Sequence, residues 1–358
     1  MNALLKNKQY FKFCAYGFLK NLRFFDAFLL LFFLESGISY TQIGALYALK
    51  EIVINISEIP SGLLADTYGR KKSLIVAFLL YIISFMVFYF FNTFYIFILA
   101  IAFYGIGDAF RTGTHKGMIM DYLAFNNWQA HKANYYGHTR SWSQKGSAIS
   151  ALIAGGLVLY SGSYRVIFLY SIIPYLLNFI NIYTYPNTLN YAINGQKENQ
   201  KVTMAFVFKS FIKSLKQPKV LQIINSSALH SAYLKAIKDY IQPVMLHVAL
   251  LIPILISFDA KRKSGFIIGI IYFIIYLLTS YASKKSLKIA DHVAPEILTS
   301  VISAQSFFST ITTSVLALSI GILADLLGIG ISFIIISAFL LLFTILLNLK
   351  KFSKVSKL

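Results

Sequence analysis

Polar and charged positions stand inside runs that are otherwise apolar, and they are where this chain could do chemistry. Glu51, Asn55 and Glu58 recur at helical spacing and mark one helix face. Asp108, Arg111 and His115 do the same further on, with Lys116 and Asp121 close behind, and Asp26 lies in an earlier run. Near residue 235 come Lys235, Lys238 and Asp239, with His230, Tyr240 and Gln242 around them. In hydrocarbon such groups must pair, hydrate or change protonation. Two chemistries fit: a structural network tying neighbouring helices together, or a binding site whose carboxylates and His115 load and release protons. The spacing suggests a Glu58 to Arg111 pair across helices and a Lys235 to Asp239 pair within one. An unpaired Lys235 or Lys238 would favour an anionic solute.

Other chemistries find no support in the residues. The chain has no Walker loop and no nucleophile motif, and a single cysteine, Cys14, allows neither an internal disulfide nor a cysteine metal cluster. No enzyme, cofactor or metal is expected. The 32 Phe and 24 Tyr read as lipid-facing packing and interfacial belts.

The elements that carry these residues are membrane helices. Of 358 residues, 57% are hydrophobic and 13% charged, and the mean hydropathy is +0.66, well beyond a soluble domain. About 20 apolar residues cross a bilayer as a helix, and unpaired backbone is intolerable there. Ten spans follow, near 13–34, 41–65, 73–91, 94–120, 143–162, 165–185, 220–250, 265–283, 299–322 and 331–349. Pro243 and Pro253 interrupt the seventh.

The net charge of +20 does not point to nucleic acid, because its placement follows the spans. If the spans alternate, Lys6, Lys8 and Lys12, then Arg70, Lys71 and Lys72, then Lys132 and Arg140, the lysines of 197–219, Lys284, Lys285 and Lys288, and the basic C-terminus all fall on one side. The positive-inside rule makes that side cytoplasmic, with both termini. Lys261, Arg262 and Lys263 are the exception. Arg140 and Lys145 read as anchors of this kind rather than ligands. The basic N-terminal stretch has no small-residue cleavage site, so the first span is expected to be retained.

Residues 1–186 form one six-span half, 187–218 a cytoplasmic linker and 219–358 a shorter half of about four spans. Asn187 to Gln200 has little to bury and reads as a mobile linker. Met204 to Lys216 then places lysines at helical spacing opposite Phe208, Phe211, Ile212 and Leu215, a helix suited to an anionic inner leaflet.

Between spans two and three stands Gly62-Leu-Leu-Ala-Asp66-Thr-Tyr-Gly69-Arg70-Lys71-Lys72. The order G-x-x-x-D-x-x-G-R-K resembles the loop joining helices 2 and 3 of the major facilitator superfamily of secondary transporters. The resemblance implies an all-α, two-half bundle that carries a small solute by alternating access, coupled to a proton or another ion, in the cell membrane of a bacterium or archaeon. In that family this loop latches the halves on the cytoplasmic side, so Gly62, Asp66, Gly69, Arg70 and Lys71 become gating residues. Cavity-lining residues of the family lie on helices 1, 4, 7 and 10, which favours Asp26, Asp108 and Arg111 as site candidates and leaves Glu51 and Glu58 to structure or gating.

The family has twelve helices, and the region corresponding to its helices 9 and 10 has no counterpart here: Asp291 to Ser303, which resembles the entry to helix 11, follows directly on Ser283-Lys284-Lys285. A non-transporting relative acting as sensor or partner is the alternative this raises. The family's arginine before Gly-x-Gly on helix 4 is also unmatched, since Ile101 stands before Gly105-Ile-Gly107. A second Gly321-Ile-Leu-Ala-Asp325-Leu-Leu-Gly328 lacks the cations and reads as a tight outer turn with Asp325 as a helix cap.

Overall fold

The computed structural model describes residues 7–190, 231–286 and 295–355. Those residues are helical with no strand among them. The helices are α1 (Lys8–Lys20), α2 (Leu29–Glu35), α3 (Tyr40–Tyr68), α4 (Arg70–Phe90), α5 (Phe94–Arg111), α6 (Thr114–Phe125), α7 (Lys132–Ser161) and α8 (Val166–Tyr183). After the first gap come α9 (231–240), α10 (Gln242–Leu251), α11 (Ala260–Ser286), α12 (Pro295–Leu327) and α13 (Ile329–Val355).

Within the described residues each expected span has helical counterparts, the seventh only from residue 231 onward. Five stretches are long and apolar enough to cross a bilayer by length and composition alone: Arg70–Phe90, Phe94–Phe125, Val166–Tyr183, Ala260–Thr279 and Phe308–Leu327. The others depart from that profile for local reasons. The first span is not continuous: α1 ends at Asn21, a short 3-10 turn covers Phe24–Ala27, and α2 resumes at Leu29. The fourth turns between α5 and α6, where Gly113 has a φ of 77°. In the seventh, Pro243 lies in the first turn of α10, where a missing N–H costs little, and Pro253 follows the end of that helix. The inner-leaflet helix expected at 204–216, the lysines of 197–219, His230 and Asp291 lie outside the described residues.

Two long helix pairs do most to join the earlier helices to the later ones. The strand-free bundle packs α7 along α11 and α3 along α12. A Cβ on Gly155 would lie 3.0 Å from the Cα of Gly269, and one on Gly269 would lie 2.7 Å from the Ala151 carbonyl oxygen, so the α7 and α11 backbones touch. On the other pair, Ser314 Oγ donates to the Ala48 carbonyl at 3.4 Å, and a Cβ on Gly44 would lie 2.7 Å from the Ala317 carbonyl oxygen. Both contacts sit toward one end of the bundle, opposite the Arg70 to Lys72 turn. Beyond them α3 separates from its partner: Ile56, Leu63 and Tyr68 are all exposed.

The expected outer cations are held locally at that closed end. Lys261 pairs with Glu35, Arg262 pairs with Asp259 at 3.2 Å, and Lys263 donates to the Leu250 carbonyl at 3.1 Å.

Candidate functional site in the bundle interior

The break in the first span creates the site. Ending α1 and starting α2 inside the bundle leaves backbone groups without helical partners. Gln242, only 2% exposed, answers them from α10: its Oε1 accepts from Leu30 N at 2.9 Å and Leu31 N at 3.4 Å, and its Nε2 donates to the Asp26 carbonyl at 3.0 Å. On the other flank Tyr175 Oη donates to the Lys20 carbonyl at 3.2 Å. The gap so stabilised presents Lys20, Arg23 and Asp26 at mid-bundle, where an unbroken helix would have sealed its own backbone.

Charges around the gap form three linked groups. Arg23 pairs with Asp26 at 3.0 Å and donates to Tyr104 Oη at 3.2 Å. Asp108 accepts from Tyr81 Oη and pairs with Arg111 at 2.7 Å, while Arg111 Nε donates to the same tyrosine oxygen at 3.0 Å. Glu51, 3% exposed, receives Lys235 at 2.7 Å and Lys50 at 3.7 Å; Lys50 also reaches Asp239 at 4.0 Å. Lys238 lies over the Tyr276 ring at 5.6 Å.

Two expected pairs are therefore corrected. Glu58 does not meet Arg111: its side chain is exposed on α3, and Arg111 is taken by Asp108 one helical turn away. Lys235 and Asp239 do not neutralise each other, because Glu51 and Lys50 reach across from α3 and each binds one of them. Sequence spacing sees neighbours on one helix and misses a partner 184 residues distant. Lys20, Arg23 and Lys50 were the residues passed over, although they stand inside the expected spans 13–34 and 41–65 and carry the same signal as Asp26.

His115 is separated from Asp108 and Arg111 by the Gly113 turn and occupies α6. Its ring stacks on Tyr16 at 3.5 Å between centroids, and Nε2 lies 3.1 Å from Tyr185 Oη. Beside it opens a cavity of about 370 Å³ lined from α1, α6, α7 and the α5 end, including Lys20, Arg111, His115, Lys116, Arg140 and Gln144. Arg140 thus faces the cavity and is not only an anchor at its mouth. No group of three or more His, Cys, Asp or Glu side chains suited to a metal occurs among the described residues.

The glycine-rich turn lies at the same end. Gly69 has a φ of 103°, a conformation that costs other residues strain. Asn190 closes it, its carbonyl accepting from Arg70 N at 2.8 Å and its Oδ1 from Lys71 N at 3.1 Å. The start of the expected linker is thereby ordered, with Leu189 buried against the bundle. The Arg70 guanidinium pairs with Asp121 of α6, and Lys71 Nζ donates to the Tyr185 carbonyl at 3.0 Å. Gly62 and Asp66 are exposed on the last turns of α3, and Asp66 has no ion-pair partner among the described residues.

Residues 18–349 match the sequence profile of the Major Facilitator Superfamily. The chain belongs to that superfamily. It is an integral membrane protein of the family's all-α fold. An uncharacterized MFS-type transporter of Bacillus subtilis (strain 168), YxaM, is 25% identical over 226 residues, which is 62% of this chain and 54% of the relative; the match thus spans about half of that relative's length. Among solved structures, the nucleoside transporter NupG superposes with a TM-score of 0.64 at 14% identity, covering 94% of this chain and 99% of NupG. The peptide transporter POT, in complex with sulfate, gives 0.64 at 11% identity over 95% and 94% of the two chains. A bacterial homolog of the lysosomal transporter Spinster, inward-facing and unoccupied, gives 0.56 at 14% identity over 89% and 83%. At these identities the superfamily likeness is one of fold.

Proposed function

We propose that this superfamily member is a secondary transporter that moves a small solute by alternating access, coupled to a proton or other ion gradient. One observation carries the reading. The earlier and later helices meet through α3 with α12 and α7 with α11 at one end of the bundle, while the cavity beside Lys20, Arg111 and Arg140 lies toward the other. A bundle closed at one end around a polar interior is one half of an alternating-access cycle.

In this reading residues 1–186 and 219–358 are the two moving halves and 187–218 joins them. The basic end is cytoplasmic, facing anionic lipid, with both termini on that side. The cavity then opens inward. Gly62, Asp66, Gly69, Arg70 and Lys71 form a cytoplasmic latch that engages in the opposite state; the exposure of Asp66 here agrees with a latch released. Asp26, Glu51, Asp108, Asp239 and His115 are the groups available to carry a coupling proton, and no step requires an enzyme, cofactor, metal or nucleic acid.

The test is flux in proteoliposomes. Uptake or efflux of a labelled solute from a panel of anionic, neutral and cationic compounds, enhanced by an imposed pH gradient, is the expected result. No flux for any member of the panel, with a bundle that never opens at the α3 to α12 end, would favour a non-transporting relative.

A further inference from the structure

The cavity beside His115 has a one-sided charge. Its fifteen lining residues include Lys20, Arg111, Lys116 and Arg140 and not one Asp or Glu. Asp108 stands behind Arg111 and balances one of these cations. No carboxylate lies within ion-pair distance of the Lys20 ammonium among the described residues, while Arg111 and Arg140 line the same cavity. Lys116 rests over the Tyr136 ring at 5.5 Å. The excess continues inward: Lys20, Arg23, Lys50, Arg111, Lys235 and Lys238 make six cations against the four carboxylates Asp26, Glu51, Asp108 and Asp239.

Holding like charges together in a half-buried space is costly unless something neutralises them. A protein that keeps four cations around one cavity has a counter-charge to receive there. The neutral lining suits an oxyanion as well: Asn21, Thr139, Ser143 and Gln144 supply further hydrogen-bonding groups. Guanidinium and ammonium donors bind carboxylate and phosphate oxygens through charge-assisted hydrogen bonds.

We propose that the transported solute is anionic, and that its carboxylate or phosphate group is held in this cavity by Lys20, Arg111 and Arg140, with Lys116 at the entrance. This deepens the transporter reading and rests on it. A volume of about 370 Å³ accommodates a small organic anion and falls at the lower end of ligand cavities. The same chemistry would also attract the phosphate of a lipid headgroup, so the experiment separates the two sources.

The full chain, purified in neutral detergent, is titrated with inorganic phosphate, succinate, choline, glucose and phosphatidylglycerol at constant ionic strength, and the melting temperature is followed. Saturable stabilisation by phosphate or succinate, and not by choline or glucose, is expected. Arg140→Gln lies on an exposed position that folding tolerates, and Lys20→Gln removes the half-buried cation; each should weaken the anion's apparent affinity roughly tenfold. Lys72→Gln, outside the cavity, should leave it unchanged. Stabilisation by phosphatidylglycerol alone would assign the cations to a lipid and overturn solute binding. Anion binding that is indifferent to both substitutions would overturn the site. If neutral or cationic solutes are transported while no anion binds or moves, the proposal fails and the transporter reading stands; if nothing binds and nothing moves, the reading itself fails.

Discussion

The carboxylate of Asp325, near the end of α12, accepts hydrogen bonds from the backbone N–H groups of Tyr40 at 2.9 Å and Thr41 at 2.7 Å. Ser39 Oγ accepts from Gln42 N at 3.2 Å, so the free donors of the first turn of α3 are all answered, two of them from 284 or more residues away. An acidic side chain at a helix N-terminus is also favoured by the helix dipole. The second glycine-and-aspartate turn therefore does contain a helix cap, as its sequence suggests, but the helix it caps belongs to the other group. It fastens the closed end of the bundle.

Asp325→Ala should loosen that end. Loss of a cap costs about 1 kcal/mol, or roughly fivefold in the ratio of closed to open molecules. A reporter introduced as Ala317→Cys, with Cys14→Ala as background, should react faster with a membrane-impermeant maleimide. Asp325→Ser, which keeps a capping oxygen, should fall between. Equal labelling in all three would separate the cap from closure.

Gly155 and Gly269 set the approach of α7 to α11. Gly155→Leu wedges a side chain into backbone, and such overpacking costs about 1–3 kcal/mol. Because the wedge acts only where the two helices touch, transport should fall while the same impermeant reagent gains access to the closed end. A variant that still transports at the parental rate would show that the contact is not made during the cycle.

Glu51 and Lys235 form the link between α3 and α9. Glu51→Gln and Lys235→Met should each lower the melting temperature, and the double variant should lose less than the sum, with a coupling of about 0.5–3 kcal/mol. Additive losses would mean that Lys50 and Asp239 satisfy each partner independently.

At the basic end, Gly69→Ala should destabilise the turn twice over, by its φ of 103° and by a Cβ that would lie 2.3 Å from Asn190 Oδ1. Adding Asn190→Ala removes the clash and keeps the strain. Thermal unfolding should therefore show partial rescue; full rescue or none would misassign the cause.

How much of this was legible beforehand depended on distance along the chain. Apolar length placed the spans, and the glycine-rich turn with its cations named the family, because both are written in adjacent residues. The start of α3 carries a local signal that the span estimate did not use, since Ser39 and Gln42 form a capping box. The partners of Glu51, Lys235 and Asp239 were not: helical spacing proposes neighbours one turn away, and here α3 supplies the partners of α9. Nor was the cavity, whose lining draws on α1, α6 and α7 together. Lys20 and Arg23 were readable as buried charges but were outweighed by the strong apolar run that follows them. The break between α1 and α2 was hidden for the same reason, since mean hydropathy does not register where a backbone stops hydrogen-bonding to itself.

That break has a consequence for how the protein is made. The Asp26 carbonyl and the Leu30 N–H find their partner in Gln242, more than 200 residues later. When the ribosome has delivered only the first span, its middle holds polar backbone that lipid cannot solvate. The first span to emerge thus reaches its final form only after the second half has been synthesised, and a chain halted before residue 242 should keep that segment wet, exposed to proteases, or held by the insertion machinery.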